Sequence, residues 1–263
     1  MTDLVKINIQ DHVADVRLNR ARKMNALNPD MFRAITDAAK SIENDKSVRA
    51  VVLSGEGKAF CAGIDTSAMG TDNSLMDVLI NGSESYPNIF QQPAYIWKQL
   101  SVPVIGALHG AALGGGFQIA LGTDIRFADP QTKLSVMEIR WGLIPDMSAT
   151  QTLRDLVRID VAKELTYTGR IFDAVEGKKL GVVSHLSDKP RDDALALARE
   201  IASKNPDAIS AAKHLLNETW HGNDIDGLQM EERLQGKVVL SENQQEAVNA
   251  EMEGRKANYK DRI

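Results

Sequence analysis

Polar and apolar residues alternate with a period of two near the start of the chain and change to a helical period further on. Apolar residues alternate with polar ones over 5–9 and again over 13–18, with a short polar turn between them. This pattern predicts a β-hairpin. From Met31 to Ile42 the apolar residues fall on one face of a helix, with Asn28 placed to cap it and Pro29 at its first position. The chain is therefore expected to open with a hairpin and an amphipathic helix.

The middle of the chain alternates between short apolar runs and helical spacing. Buried strands are predicted over residues 48–53, 103–108, 124–128 and 133–136. Helices are predicted between them, over 87–100 with a kink at Pro93 and over 116–121. Strands that alternate with helices predict an α/β fold with mainly parallel strand pairing.

Two further segments complete this organisation. Residues 69–85 are rich in glycine, serine, asparagine and aspartate, a composition that predicts a mobile loop. Beyond Arg191 the strand patterns stop and helical spacing continues to the C-terminus. We therefore predict a core over residues 1–190 and a C-terminal helical region over residues 191–263.

The stretch from Ser101 to Gly122 contains no charged side chain and is long enough to span a bilayer. It also contains Pro103, His109 and six glycines, which interrupt a membrane helix. A buried strand, a turn and a helix explain the stretch better, so no membrane span is expected.

Composition narrows the class of function. The 263 residues include 31 basic and 36 acidic side chains, a formal net charge of −5 without the basic excess typical of nucleic-acid-binding proteins. The single cysteine, Cys61, cannot form an internal disulfide, which favours a reducing compartment. Residues 1–12 lack the apolar core of a signal peptide. We expect a cytoplasmic protein with neither nucleic acid nor a membrane as its partner.

Several common catalytic and cofactor motifs are absent from the sequence. It has no phosphate-binding Gly-x-x-x-x-Gly-Lys loop and no Gly-x-Gly-x-x-Gly dinucleotide motif. The five histidines have no metal-ligand spacing among themselves or with Cys61, and the Gly-x-Ser-x-Gly element of serine hydrolases is missing. No metal site is therefore expected.

Two glycine-rich segments each follow a predicted strand. In the segment from Leu108 to Gly122, three successive glycines precede an apolar helix and leave backbone N–H groups without intrahelical partners. These donors could form half of an oxyanion hole, or the glycines could serve tight packing of helix on sheet. In the segment from Gly57 to Asp65, small residues precede a predicted helix start. Two such elements that converge would polarise one carbonyl oxygen; Cys61 as a nucleophile is a competing interpretation, without a base beside it in sequence.

Glu138 and Asp146 flank an apolar run that only Arg140 interrupts. A carboxylate at each end of such a loop could be partly buried, with a raised pKa suited to proton transfer. The alternative is that Asp146 caps a helix that begins near Met147. Spacing alone favours the capping role, although one side chain can serve both.

Together these stretches closely resemble the crotonase (enoyl-CoA hydratase/isomerase) superfamily. The matching stretches are Arg22 to Leu27, Gly57 to Asp65, Pro103 to Gly116, Met137-Glu138, Leu143 to Pro145, Thr168 to Arg170, Ala174, Gly181 to Val183 and Arg255 to Tyr259. The resemblance implies a crotonase-like spiral of β-β-α units with a C-terminal helical layer that builds homotrimers, often paired into hexamers. It also implies an acyl-CoA thioester as substrate, with no cofactor beyond the CoA moiety of that substrate.

The resemblance also implies site residues. The N–H groups of Ile64 and Gly115 would hold the thioester oxygen and stabilise an enolate. The residues that would line the CoA site are Lys23, Met24, Ala26, Ala62, Gly63 and Asp65. Tyr259 and Lys260 would reach that site from the tail of this chain or of a neighbouring subunit.

The chain departs from the hydratase pattern at two positions. Hydratases of the family use two glutamates, and here the first is Gln118, which can orient water but cannot exchange a proton at neutral pH. Glu138 is kept, and Asp146 stands where hydratases usually have glycine and where dienoyl-CoA isomerases carry an aspartate. Since dienoyl-CoA isomerases also have an acidic residue at position 118, that match is partial.

These departures lead us to expect an enzyme that moves a double bond in an enoyl- or dienoyl-CoA by proton shuttling between Glu138 and Asp146. The main alternative is a trans-2-enoyl-CoA hydratase, a lyase in which Glu138 acts on water positioned by Gln118. An acyl-CoA thioester hydrolase, a carbon–carbon lyase and a non-catalytic acyl-CoA-binding protein are further alternatives, because one oxyanion hole serves several reactions.

Overall fold

A computed structural model describes residues 4–68 and 73–263 of the chain. The strands are β1 (Val5–Gln10), β2 (Val13–Leu18), β3 (Ala50–Gly55), β4 (Val104–Leu108), β5 (Ala111–Leu113), β6 (Ile125–Ala128), β7 (Lys133–Ser135), β8 (Phe172–Asp173) and β9 (His185–Leu186). The helices are α1 (Pro29–Asn44), α2 (Asn73–Asn81), α3 (Gln92–Gln99), α4 (Gly115–Leu121), α5 (Ala149–Leu153), α6 (Ile159–Thr168), α7 (Ala174–Leu180), α8 (Pro190–Ala202), α9 (Pro206–Thr219), α10 (Asp224–Val238) and α11 (Glu242–Glu253). Short 3-10 turns cover Ala21–Lys23, Thr66–Ala68 and Glu138–Trp141.

The main sheet confirms the predicted hairpin and the predicted parallel pairing. Its strand order is β1-β2-β3-β4-β6-β9, with β1 antiparallel to β2 and every other neighbouring pair parallel. A second, three-stranded sheet contains β5, β7 and β8. The crossovers between parallel strands carry the helices, as this pairing requires.

The core lies on both faces of the main sheet, which explains the continuous apolar runs of its strands. Along β3, Val51 and Leu53 pack with α1 and α3 on one face, while Ala50 and Val52 belong to the cluster on the other face. That second cluster is covered by α8, through Ala194, Ala198 and Ala202. The first helix beyond residue 190 is therefore part of the same hydrophobic core as the sheet.

The start of α1 follows the sequence prediction. The side chain of Asn28 accepts a hydrogen bond from the Met31 N–H at 3.1 Å, and Pro29 is the first helical residue. A cap of this kind stabilises a helix by about 1 kcal/mol.

Two local predictions were wrong. The helix predicted over 87–100 begins only at Gln92, so Pro93 lies in its first turn, where proline leaves the helix straight. Residues 73–81 of the predicted loop form α2, because five of the six residues from Leu75 to Ile80 are apolar and can sustain a helix despite the polar residues around them. Residues 69–72 of that predicted loop lie outside the described part of the chain.

The strand and the helix predicted between Ser101 and Gly122 are confirmed as β4 and α4, and the short strand β5 lies between them. Among the residues that the structure describes, no helix is long and apolar enough to cross a membrane. The C-terminal region contains α8, α9, α10 and α11, as predicted, and α10 packs on α9 without burying a side chain of its own.

Candidate active site

The two glycine-rich segments lie side by side in front of α4. Cys61 N–H donates to the Ala111 carbonyl and Leu113 N–H donates to the Cys61 carbonyl, both at 3.0 Å. Gly63 has a φ of +89°, and a Cβ on it would lie 2.7 Å from the Leu113 carbonyl oxygen and 3.8 Å from the Gly115 nitrogen. Only glycine allows this approach, which brings the backbone at residue 63 against the start of α4.

The N–H groups of Ile64 and Gly115 have no hydrogen-bond acceptor within residues 4–68 and 73–263. Gly115 is the first residue of α4, so its N–H lacks an intrahelical partner. Gly115 is closely packed by side chains, since a Cβ on it would lie 2.7 Å from the Met147 sulfur and 3.1 Å from a Leu27 methyl carbon. Two unused backbone donors therefore lie on adjacent segments.

Gln118 is fully buried and holds Glu138 in place. Its Oε1 accepts from the N–H groups of Met147 at 2.9 Å and Ala149 at 3.1 Å, and its Nε2 donates to Glu138 Oε1 at 2.6 Å. This pattern fixes the orientation of the amide, because two donors require its oxygen and a carboxylate requires its nitrogen. The amide oxygen that could receive a hydrogen bond from water is thus already engaged.

The second oxygen of Glu138 is free to react. Glu138 Oε2 is buried and has no partner among the described groups, and Oε1 lies against the glycine segment, 3.4 Å from where a Cβ on Gly114 would be. Burial raises the pKa of Glu138, and the negative charge of Asp146 raises it further, although hydrogen bonds from the backbone and from Gln118 act in the opposite direction. Glu138 is therefore a half-buried carboxyl whose proton is held more tightly than in water.

Asp146 lies beside a groove and is a second carboxyl with a raised pKa. Its side chain is open to solvent in the single chain, but the walls of the concave groove displace much of the surrounding water. This desolvation raises the pKa of Asp146, with a smaller opposing effect from a backbone hydrogen bond. The negative charge of Asp146 also acts on Glu138, although burial has the larger effect on the Glu138 pKa.

The interpretation of Asp146 as a helix cap was wrong. α5 begins at Ala149, and its N-cap residue is Ser148, whose side chain makes no capping bond. Gln118 Oε1 accepts hydrogen bonds from the N–H groups of Met147 and Ala149, which are donors that a helix cap would bind. Asp146 is left without a capping function.

The structure brings the two predicted CoA-site segments together. Ala62 N–H donates to the Met24 carbonyl at 2.9 Å, and Leu27 N–H donates to the Gly63 carbonyl at 2.8 Å. Ala26 lies between these contacts and is buried. The segment that contains Lys23 and the segment that ends at Asp65 therefore form one continuous surface.

Asp65 and Lys23 differ in their surroundings. The Asp65 carboxylate accepts from Ser67 at 2.6 Å and pairs with Arg20 at 2.6 Å, and these contacts lower its pKa to about 2. Asp65 thus ties two loops together as a permanent anion. Lys23 is exposed and makes no ion pair with any described residue, so its charge is available to a ligand.

Tyr259 and Lys260 lie elsewhere in the same chain. Their carbonyls accept from the Arg49 guanidinium at 2.8 and 3.4 Å, and the Lys260 ammonium pairs with Glu242. Arg49 precedes β3, whereas Lys23 and its neighbours lie at the opposite end of that strand. Within one chain the structure does not bring the tail to the predicted CoA site.

Asn25 and Arg20 hold these loops together. The sequence did not indicate either role. Asn25 is fully buried, donates to the carbonyls of Ala59 at 2.9 Å and Phe60 at 3.1 Å, and accepts from the Arg20 N–H at 2.8 Å. Its φ of 56° is one that asparagine tolerates better than most residues. The left-handed preference of asparagine was a usable signal for Asn25, whereas nothing in the spacing indicated the pairing of Arg20 with Asp65.

Cys61 is unsuited to nucleophilic chemistry. Complete burial raises the pKa of its thiol to about 12, and Sγ donates to the Asn25 carbonyl. The residues that the structure describes also contain no cluster of three or more His, Cys, Asp or Glu side chains that could hold a metal ion. The chemistry of this site therefore rests on carboxyls and backbone amides.

Comparison with known proteins identifies the family. A family model described as enoyl-CoA hydratase/isomerase matches residues 8–262. The chain is 31% identical over 253 residues to the enoyl-CoA hydratase EchA19 of Mycobacterium tuberculosis, with 95% of this chain and 94% of that protein covered. It is 31% identical over 252 residues to the mitochondrial methylglutaconyl-CoA hydratase of Mus musculus, with 92% and 78% covered.

A solved structure shows the same fold. The crystal structure of an enoyl-CoA hydratase from Bacillus anthracis superposes with a TM-score of 0.89 at 30% identity, covering 98% of this chain and 99% of that one. The chain therefore belongs to the enoyl-CoA hydratase/isomerase family and has the crotonase fold, as the resemblance implied.

Proposed function

We propose that this enzyme moves a carbon–carbon double bond within an enoyl- or dienoyl-CoA ester by proton transfer through Glu138 and Asp146. The observation that carries the proposal is the unpartnered Oε2 of Glu138, whose Oε1 lies against the glycine segment, together with Asp146 as a second carboxyl whose charge acts on Glu138. Desolvation raises the pKa of both carboxyls. Carboxyls whose pKa is shifted toward neutrality can hold and release protons at physiological pH. An isomerase needs two such events, one removal and one return.

The proton balance of the reaction requires no other reactant. For a 3-enoyl-CoA, one carboxylate of the pair removes a proton from carbon 2, which lies between the double bond and the thioester. The electron pair shifts into a dienolate, and a carboxylic acid returns a proton to carbon 4. The product is the conjugated 2-enoyl-CoA, with neither gain nor loss of water.

The unused N–H groups of Ile64 and Gly115 support stabilisation of the dienolate. Backbone donors fixed before the reaction stabilise a developing oxyanion without reorganising, and one such donor contributes about 3 to 4 kcal/mol to the transition state. In this proposal the thioester oxygen accepts from both. The acyl carbons then lie beside Glu138, which abuts the same glycine segment.

The CoA moiety would lie along the surface formed by Lys23, Met24, Ala26 and the segment from Ala62 to Asp65. The free charge of Lys23 suits a phosphate group of CoA. The fixed Asp65–Arg20 pair would maintain the shape of this surface. Tyr259 and Lys260 could complete it only from another copy of the chain.

The contacts of Gln118 favour isomerisation over hydration. Its oxygen is committed to two backbone donors and its nitrogen to Glu138. It therefore acts on Glu138, whose orientation it fixes, and it supplies no second proton-exchanging group for water.

Hydration of a trans-2-enoyl-CoA is the second candidate function. The names of the relatives and of the solved structure given above favour it, since each is called a hydratase. The unpartnered Oε2 of Glu138 could also activate a water molecule. Glu138 alone would then replace the pair of glutamates that hydratases use.

Product analysis separates the two functions. The enzyme is incubated with trans-3-enoyl- and trans-2-enoyl-CoA esters of equal length, and the products are identified by mass and ultraviolet absorbance. We expect the 3-enoyl ester to give a conjugated product of unchanged mass. A product heavier by one water, formed faster from the 2-enoyl ester, would contradict the proposal, and release of free CoA thiol would indicate hydrolysis.

A further inference from the structure

A groove beside Asp146 combines a mainly apolar lining with several polar side chains. It has a volume of about 540 Å³ and lies between α3 with the residues before it and the segment from Ile144 to Gln151. Its polar lining side chains besides Asp146 include Gln91, Tyr95, Gln99, Ser148, Thr150 and Gln151. In ligand sites with a mainly apolar lining, a few polar groups fix the orientation of the ligand and give specificity.

Several of these side chains have unused hydrogen-bonding capacity. Ser148 Oγ is buried without a partner among the described residues, and the hydroxyl of Tyr95 makes no hydrogen bond within that part of the chain either. Gln91 accepts from the Asn88 N–H at 2.9 Å through its oxygen, which leaves its amide hydrogens for a ligand. Buried polar groups are normally paired, so the unpartnered hydroxyl of Ser148 is available to a polar group that a ligand brings to this wall of the groove.

The backbone of Ser148 is strained. Its φ of 71° lies in the left-handed region, where a residue with a Cβ is uncommon. Glycine would occupy the same position without strain. The hydroxyl is the feature that serine adds there.

The charge of the groove limits what it can accept. Asp146 is the only acidic side chain among its described lining residues, and no Lys, Arg or His is found among them. A carboxylate on an acyl chain would meet a like charge without a compensating cation. A neutral polar group avoids that penalty.

The groove continues the line of the reaction site. Glu138 abuts the glycine segment that carries the Gly115 N–H, and the charge of Asp146 acts on Glu138. Asp146 in turn lines the groove. An acyl chain held at Gly115 by its thioester oxygen would pass the two carboxyls and place its far end in the groove.

We propose that this groove is a subsite for a neutral acyl chain that carries a hydroxyl or carbonyl group beyond the reacting carbons. Ser148 and Tyr95 are the specificity-determining residues, and Gln91 supplies a further donor. This inference rests on the proposed function only in requiring that the protein bind acyl-CoA esters.

Binding of unreactive esters tests the subsite without depending on the reaction. Isothermal titration compares three saturated CoA esters at acyl lengths of six and of eight carbons: the plain acyl ester, its terminally hydroxylated form and its terminally carboxylated form. We expect the hydroxylated ester to bind about 3- to 10-fold tighter than the plain one at one or both lengths, the gain expected from one neutral hydrogen bond. The carboxylated ester is expected to bind more weakly than both.

Variants assign the preference to named side chains. Ser148→Ala and Tyr95→Phe should each lower the ratio of hydroxylated to plain affinity by about threefold or more. Ser148→Gly should lower it as well while relieving the backbone strain, which keeps the test valid if the alanine variant folds poorly. Ser203→Ala, at the C-terminal end of α8, removes a hydroxyl that bonds only to Glu200 and should leave the ratio unchanged.

Failure of the subsite proposal and failure of the proposed function give different results. Equal binding of plain and hydroxylated esters at both lengths, or tightest binding of the carboxylated ester, would overturn the subsite while leaving the proposed function intact. The same holds if the preference persists in the Ser148 and Tyr95 variants. Absence of binding for every CoA ester would overturn the subsite and the proposed function together.

Discussion

The hydrogen bond from Gln118 to Glu138 limits which side chains of this site can exchange protons. In a pair of glutamates, both side chains can exchange protons, whereas Gln118 can only orient its partner. Its buried amide leaves one Glu138 oxygen held and the other free. In the proposed mechanism, Glu138 and the more open Asp146 therefore carry the proton transfers.

Removal of the second carboxyl should stop turnover. In Asp146→Asn, the shape of the side chain is kept but one proton-exchanging group is lost, so we expect kcat to fall by about 100- to 10,000-fold. The dissociation constant for CoA esters should stay nearly unchanged. Steady-state kinetics and titration calorimetry measure the two quantities.

Asp37→Asn provides the matched control, since Asp37 lies on the exposed face of α1 and should tolerate the change. Unchanged turnover in Asp146→Asn would exclude the two-carboxylate scheme.

Glu138 should make stability depend on pH in a specified direction. Because folding raises its pKa, the ionised form is disfavoured in the folded state, and this penalty is present at pH values above the folded pKa. Glu138→Gln should therefore increase the free energy of unfolding at pH 7. The gain should vanish as the pH falls below the ordinary carboxyl value of 4.5, where both states are protonated.

Urea unfolding at fixed protein concentration across this pH range measures the effect, with the exposed Glu232→Gln as control. A gain that is absent at pH 7, or that grows on acidification, would contradict the pKa shift.

At this scale the sequence predicted the carboxyl pair but not its contacts. The apolar run between Glu138 and Asp146 predicted partial burial for both, and the structure shows it for Glu138, whereas the Asp146 side chain is exposed. The bonds from Met147 and Ala149 to Gln118 join residues 29 and 31 positions apart, and no local pattern indicates them. The capping interpretation of Asp146 failed for the same reason.

At the scale of elements, the site depends on two backbone segments that meet in front of α4. Ile64 N–H makes no hydrogen bond within the described chain, and the bridge to Leu27 uses the Gly63 carbonyl and the Asp65 N–H instead. A proline at position 64 would therefore remove the proposed oxyanion donor without removing any hydrogen bond of the fold.

Ile64→Pro should lower kcat by about 100- to 1,000-fold, because one oxyanion donor is lost. Ile64→Ala keeps the N–H and should retain most of the activity. Kinetics of both variants, with circular dichroism to confirm folding, measure the difference. Equal activity of the two variants would show that this N–H does not act in the reaction.

The elements with a clear hydrophobic period were predicted correctly from the sequence. The hairpin, α1 with its Asn28 cap and strands β3, β4 and β6 of the main sheet follow from alternation, turn residues and buried runs. The short strands β5, β8 and β9 were missed, because two or three residues carry no measurable period. α2 was missed because its surroundings have the composition of a loop.

At the scale of the whole molecule, the C-terminal helices leave apolar side chains uncovered. Ile225 and Leu228 of α10 are 63% and 60% exposed, and they lie three residues apart on one helical face. Tyr259 and Lys260 are also held away from the predicted CoA surface of their own chain. Both observations favour assembly, and the resemblance implies a homotrimer or hexamer.

We expect light scattering to give a mass of three or six times the 28.8 kDa chain. Placing a charge in the apolar face of α10 with Leu228→Asp should lower that mass, because association would bury a carboxylate. Glu231→Gln on the same helix should leave it unchanged. A mass of one chain at micromolar concentration would contradict the expected assembly.

Proton shuttling by Glu138 and Asp146 is tested most directly by separate incubations with trans-3-enoyl-CoA and trans-2-enoyl-CoA in heavy water. The recovered esters are then analysed by mass. Shuttling predicts a shifted double bond, deuterium bound to carbon and no added water. Conversion of the 2-enoyl ester to a product heavier by one water, with no deuterium exchange into the 3-enoyl ester, would contradict it and identify a hydratase.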